Sequence, residues 1–134
     1  MYLINIAMCK KIIMNPDTVK IILRNLNSPN NKIDSAKSVL DSNGFGLFNF
    51  VNADSDSCHF FEVTHRNYLR TFSRNVCSKL NSTPSLYDFT SSESRAFGNN
   101  MIFIHGNISP GGFALYAGDC NKDGSADLSD IAEV

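Results

Sequence analysis

Apolar positions in the first half of the chain recur at every second residue. Val19, Ile21 and Leu23 alternate with Lys20, Ile22 and Arg24. This period sends successive side chains to opposite faces, so it predicts a strand with one face buried more deeply than the other. Phe48 and Phe50 alternate with Leu47, Asn49 and Val51 in the same way. So do Phe61, Val63 and His65 with Phe60, Glu62 and Thr64. Shorter strands are expected at 86–89, 101–105 and 113–117. Residues 34–40 suit a helical turn or a strand equally. The apolar opening, Met1 to Met8, reads as a strand or as the ragged start of a fragment.

Turn chemistry separates these runs. Asn25 to Asn31 is rich in Asn with a central Ser-Pro, and Asp41-Ser42-Asn43-Gly44 is a turn signal. Further clusters stand at Asn81-Ser82-Thr83-Pro84, Gly98-Asn99-Asn100 and Ser109-Pro110-Gly111-Gly112. Short strands with regular punctuation predict a mainly β chain, a small antiparallel β-sandwich. The ten Phe and four Tyr can fill its core without any Trp.

Composition agrees with a packed domain. With 134 residues, 43% apolar and 19% charged, the chain can bury a core and is not of disordered type. A net charge of −1 offers nothing to nucleic acid or an anionic membrane surface. No apolar run is long enough to span a membrane. The N-terminal apolar stretch precedes Lys10-Lys11, the reverse of a secretory signal, so no targeting signal is read. Cys9, Cys58, Cys77 and Cys120 form no C-x-x-C pair and have no zinc-finger spacing with His59, His65 or His105. Cys58-His59 alone is a weak metal signal and is read as ordinary strand sequence. One or two disulfides are possible in an extracellular protein, but sequence does not pair them.

The charge is unevenly placed. Asp119, Asp123, Asp127, Asp130 and Glu133 crowd the last sixteen residues against Lys122 alone. Ca²⁺ takes six to eight oxygen ligands at ~2.3–2.6 Å, and a twelve-residue loop supplies them from positions 1, 3, 5, 7, 9 and 12. In the segment 119–130 these are Asp119, Asn121, Asp123, Ser125 through its carbonyl, Asp127 and Asp130. Position 6, which must turn sharply, is Gly124. Position 12 is the shorter Asp where an EF-hand has Glu. The segment entering the loop, 112–118, is Gly-flanked and strand-like, whereas Leu128, Ile131 and Ala132 have helical spacing on the exit. Strand–loop–helix is not the paired-helix unit of a calmodulin-like sensor.

The stretch Gly118-Asp119-Cys120-Asn121-Lys122-Asp123-Gly124-Ser125-Ala126-Asp127-Leu128-Ser129-Asp130-Ile131 resembles the first calcium repeat of type I dockerin modules. Asp at position 12 is usual there, so the resemblance implies the same ligand set. Motifs from Asp17-Thr18-Val19 through His65-Arg66-Asn67 and Tyr87-Asp88-Phe89-Thr90 to Tyr116-Ala117-Gly118-Asp119 are similar to a C-terminal region of secreted bacterial proteins. In that region a small β-sandwich precedes a dockerin-like pair. The chain departs from the pattern by carrying one repeat before Val134, which reads as a fragment or an incomplete gene model. Cohesin recognition in dockerins uses loop positions 10 and 11, here Leu128 and Ser129, and only Ser129 suits that use.

The expected organisation is therefore an N-terminal segment 1–16, a β-sandwich 17–118, and a truncated dockerin-like calcium loop with the start of a helix, 119–134. The expected function is a non-catalytic, calcium-binding module of a larger secreted protein, extracellular or at the cell surface. Its partner would be a cohesin-like protein or a second dockerin repeat. The alternatives are a fragment of a polysaccharide-degrading enzyme and an intracellular calcium sensor. A glycosidase needs two carboxylates across a cleft, and Asp54, Asp56, Glu62 and Asp88 offer no distinguished pair. His65-Arg66-Asn67 is a polar cluster best read as a strand-end turn.

Overall fold

The structure, a computed structural model, describes residues 2–7, 18–28, 31–41, 43–53, 58–66, 68–74, 85–104, 112–116 and 124–125. It is mainly β. The strands are β1 (Tyr2–Ala7), β2 (Thr18–Asn25), β3 (Lys32–Val39), β4 (Phe45–Phe50), β5 (His59–Thr64), β6 (Thr71–Phe72), β7 (Ser85–Asp88), β8 (Ile102–Ile104) and β9 (Gly112–Ala114). Helical structure among the described residues is limited to 3-10 turns at Phe89–Ser91, Glu93–Arg95 and Phe97–Asn99. No helix among the described residues is long and apolar enough to cross a membrane.

One sheet has the order β3-β2-β5-β6 and is antiparallel throughout. A second has the order β4-β1-β7, with β1 antiparallel to β4 and parallel to β7. The apolar opening of the chain is thus the central strand of this sheet. The β8–β9 hairpin stands as a third, two-stranded unit. The alternation seen in the sequence is the alternation of burial. Val19, Ile21 and Leu23 of β2, Phe48 and Phe50 of β4, and Phe61 and Val63 of β5 are all buried and belong to one core cluster. Phe61 joins the two larger sheets, stacking on Phe50 with ring centres 6.4 Å apart and meeting the edge of Tyr87 of β7 at 5.4 Å.

Residues 34–40, ambiguous by pattern, are a strand through residue 39. β3 pairs with β2 from Thr18↔Val39 to Arg24↔Lys32, and backbone pairing decides where side-chain periodicity does not. Most β3 side chains are half-buried or exposed, which is why the pattern is weak. Asp34 ties this edge strand to the end of β4. Its carboxylate accepts from the backbone N–H of Ser35 at 2.8 Å and of Asn52 at 2.9 Å. Burial works to raise its pKa, but backbone N–H groups from Asn52, Ser35 and Val51 outweigh that and hold it below the ordinary aspartate value.

The turn expected at residues 41–44 is present. Asp41 accepts from the N–H groups of Asn43 and Phe45, and Gly44 has a φ of +81°. The strand expected at 86–89 stops one residue early, because the Asp88 carboxylate caps a 3-10 turn by accepting from Thr90 N at 2.8 Å. Tyr87 then fastens this irregular region. Its hydroxyl donates to the Arg95 carbonyl and accepts from Arg74 N, while the Arg95 guanidinium lies 4.2 Å from its ring centre. Burial pushes the Tyr87 phenol up from its ordinary pKa, against the lowering influence of the Arg95 charge.

Gly46 shows how tightly the core closes. A Cβ there would lie 2.7 Å from Phe48 Cε2 and 2.9 Å from Leu40 Cδ2, both in buried side chains. Gly46→Ala is expected to destabilise the fold by about 1–3 kcal/mol through overpacking. A urea unfolding midpoint equal to that of the parent chain would show that the core yields at no cost.

Candidate functional site

Of the six expected calcium ligands, Asp119, Asn121, Asp123, Asp127 and Asp130 lie outside the described residues, as does the expected exit helix. Ser125 and the turn residue Gly124 are described, and both are exposed. Gly124 has a φ of +92°, in the left-handed region that L side chains rarely adopt. Among the described residues nothing lies within 4 Å of where its Cβ would be, and the backbone angle by itself calls for glycine. A sharp left-handed turn is what position 6 of a calcium loop requires, so the described part of the segment fits the group. Among the described residues no cluster of three or more His, Cys, Asp or Glu could hold a metal.

Gly124 also lines a cleft of about 540 Å³ on the outer face of the β3-β2-β5-β6 sheet. The floor follows from strand register. Lys20 of β2 stands directly opposite Lys37 of β3 on one side and Thr64 of β5 on the other. All three line the cleft. The Thr64 hydroxyl is tied to the Lys20 carbonyl at 3.2 Å. One row further on, Glu62 is buried although it faces outward from the core. Its carboxylate accepts from Arg24 Nε at 2.5 Å and faces an Arg70 nitrogen at 3.4 Å. Arg70 in turn lies over the Phe72 ring, 5.5 Å from its centre. A carboxylate taken out of water needs such partners, and two guanidinium groups supply them.

The wall is built by the residues after β5. His65 ends the strand's alternation and Arg66 lies in a bend, as the strand-end reading of this cluster expects, while Asn67 is outside the described residues. His65 is buried and packs on Tyr68 with ring centres 4.5 Å apart. Both rings and Arg66 line the cleft. Lys20 and Lys37 look like solvent-facing positions of separate strands, and only the pairing of β2 with β3 makes them neighbours.

The carboxylates considered for catalysis have other positions. Glu62 is held in ion pairs, Asp88 caps a turn, and Asp54 and Asp56 lie outside the described residues. Cys58, directly before β5, is disulfide-bonded; Cys9, Cys77 and Cys120 are outside the described residues. His59, next to it, is wholly buried at the start of β5. Comparison with protein-family models, with characterised proteins and with solved structures finds no match to this chain.

Proposed function

We propose that the chain is a non-catalytic calcium-binding module of a larger secreted protein. In this reading the β domain is a sandwich that acts as spacer or adhesive element, and segment 119–134 is a dockerin-like docking tail. The observation that carries the reading is the loop itself. Oxygen-bearing residues stand at all six ligand positions of 119–130, and the position between them that must turn is Gly124, with its φ of +92°. Asp119, Asn121, Asp123, the Ser125 carbonyl, Asp127 and Asp130 are the proposed ligands. Calcium would neutralise a loop whose carboxylates otherwise repel one another, and would stabilise the state that binds it. The proposed partner is a cohesin-like protein or a second dockerin repeat.

The disulfide at Cys58 supports an extracellular or cell-surface setting, because disulfides persist in oxidising compartments. It weighs against the intracellular sensor for the same reason. The ion-paired Glu62 and the capping Asp88 weigh against a glycosidase pair built from the described carboxylates.

Calorimetric titration of the chain with Ca²⁺, with Mg²⁺ as control, tests the proposal. One Ca²⁺ site per chain and a higher Tm are expected, and Asp119→Ala and Asp123→Ala should each abolish binding. Full calcium affinity in both variants would remove the ligand assignment.

A further inference from the structure

Cys58 is disulfide-bonded, and its partner is Cys9, Cys77 or Cys120. Those three lie outside the described residues, but the described residues beside them in the chain set how far each can reach. A disulfide needs its two Cα atoms about 4.4–6.8 Å apart. Phe61 gives a common origin for the distances. It pairs with Leu23 of β2, which pairs with Asp34 of β3, and Phe50 of β4 stacks on it from the second sheet. β3 and β4 run antiparallel beside each other, since Asp34 accepts from Asn52 N at one end and Asp41 N donates to the Phe45 carbonyl at the other. The two sheets therefore share one strand direction. Cys58 stands three residues before Phe61, about 10 Å toward the end of the domain where β2 finishes.

Cys9 departs in the opposite direction. Tyr2 of β1 pairs with Phe50 and Ala7 with Phe45, so Ala7 is already about 16 Å from the Phe50 row, on the side away from Cys58. Two further residues return at most about 7 Å, which leaves Cys9 far beyond the span of a disulfide. Cys120 is tethered to the same distant end. Four residues before it, the Tyr116 carbonyl accepts from Leu69 N, next to the Tyr68 ring that packs on His65. His65 is about 23 Å from Cys58 along the line of β5, and four residues stretch to about 14 Å at most. Four residues after Cys120, Gly124 is back at the cleft beside Thr64. The tether of Cys77 does reach. Ser73 N donates to the Phe61 carbonyl at 2.8 Å, and Phe61 N donates to Ser73 Oγ at 2.8 Å. Ser73 thus stands beside Phe61, and the antiparallel pairs Val63↔Thr71 and Glu62↔Phe72 show the chain arriving there headed toward the Cys58 end. Four residues from Ser73 to Cys77 cover up to about 14 Å, against the 10 Å or so that separates Phe61 from Cys58.

We propose that Cys58 and Cys77 form the disulfide. The bond closes residues 58–77 into a loop around β5 and β6. β6 is two residues long and stands at the end of the β3-β2-β5-β6 order, so its ladder alone holds it weakly. The cross-link keeps it against β5, and with it the Arg70 guanidinium that faces Glu62. Forming the bond oxidises two thiols, and a disulfide oxidant takes up the two electrons and two protons. The pairing is independent of the calcium loop.

Tryptic mapping of the full, unreduced chain tests it. Free thiols are first alkylated at acidic pH, where thiolate is scarce and bonds do not exchange. The four cysteines fall in four separate tryptic peptides, 1–10, 38–66, 75–79 and 96–122. The expected product is 38–66 joined to 75–79, released by reductant. Peptide 38–66 joined to 1–10 or to 96–122, or recovered with Cys58 alkylated, would overturn the pairing. The Cys9→Ser, Cys120→Ser double variant keeps only Cys58 and Cys77. It should show no free thiol when unfolded without reductant, and its urea midpoint should fall when reductant is added. Two free thiols in that variant would overturn the pairing as well.

Discussion

Phe61→Ala should lower the unfolding free energy by about 3–5 kcal/mol, the range for emptying a buried aromatic position. Phe61 is 1% exposed and lies where the two larger sheets meet, between Phe50 of β4 and Tyr87 of β7. Its removal takes away burial and both ring contacts at once. Its backbone stays pinned, since Phe61 N donates to Ser73 Oγ and Ser73 N donates to the Phe61 carbonyl. The neighbours therefore cannot collapse fully into the space, and a cavity persists. A natural domain holds only about 5–15 kcal/mol in total, so such a loss consumes a large part of its stability. Val51→Ala is the control. Val51 is 68% exposed, and its truncation should change stability by less than about 0.5 kcal/mol. Urea unfolding of the two variants beside the parent decides the matter. A Phe61→Ala loss no larger than that of Val51→Ala would mean that the sheets do not close on this residue.

The second large effect concerns Cys58. Removing its disulfide, by Cys58→Ser or by reduction, is expected to cost about 2–5 kcal/mol. The bond acts at the entry to β5, where the Cys58 carbonyl accepts from Leu26 N at 3.1 Å and His59 pairs with Asn25 at the end of the β2–β5 ladder. The cross-link restricts the unfolded chain and anchors the residue at the entry to β5. The measurement is the urea midpoint with and without reductant, paired with peptide mapping of the unreduced protein. Mapping should recover Cys58 joined to Cys9, Cys77 or Cys120. Titration of four free thiols in the unfolded, unreduced chain would remove both the bond and the effect.

Where chemistry is local, the sequence by itself determined the outcome. Alternation alone marks β2, β4 and β5 and says which face of each is buried, because a strand's side-chain period is two wherever the strand lies. Asp41 and Gly44 specify their turn through a side-chain cap and a left-handed backbone, both within a few residues. The spacing from Asp119 to Asp130 is likewise local and carries the calcium proposal, in which Gly124, with its positive φ, takes the sixth position. The tertiary structure alone decided what depends on pairing. Residues 34–39 are a strand because β2 lies beside them, and β1 joins β7 in parallel although the other ladders among the described residues run antiparallel. Lys20 and Lys37 become one cationic surface by register, and a slip of one residue would have sent one of them to the other face. The burial of Glu62 is equally nonlocal. At position 62 it reads as one more outward polar residue, until Arg24 from β2 and Arg70 from the approach to β6 close over it.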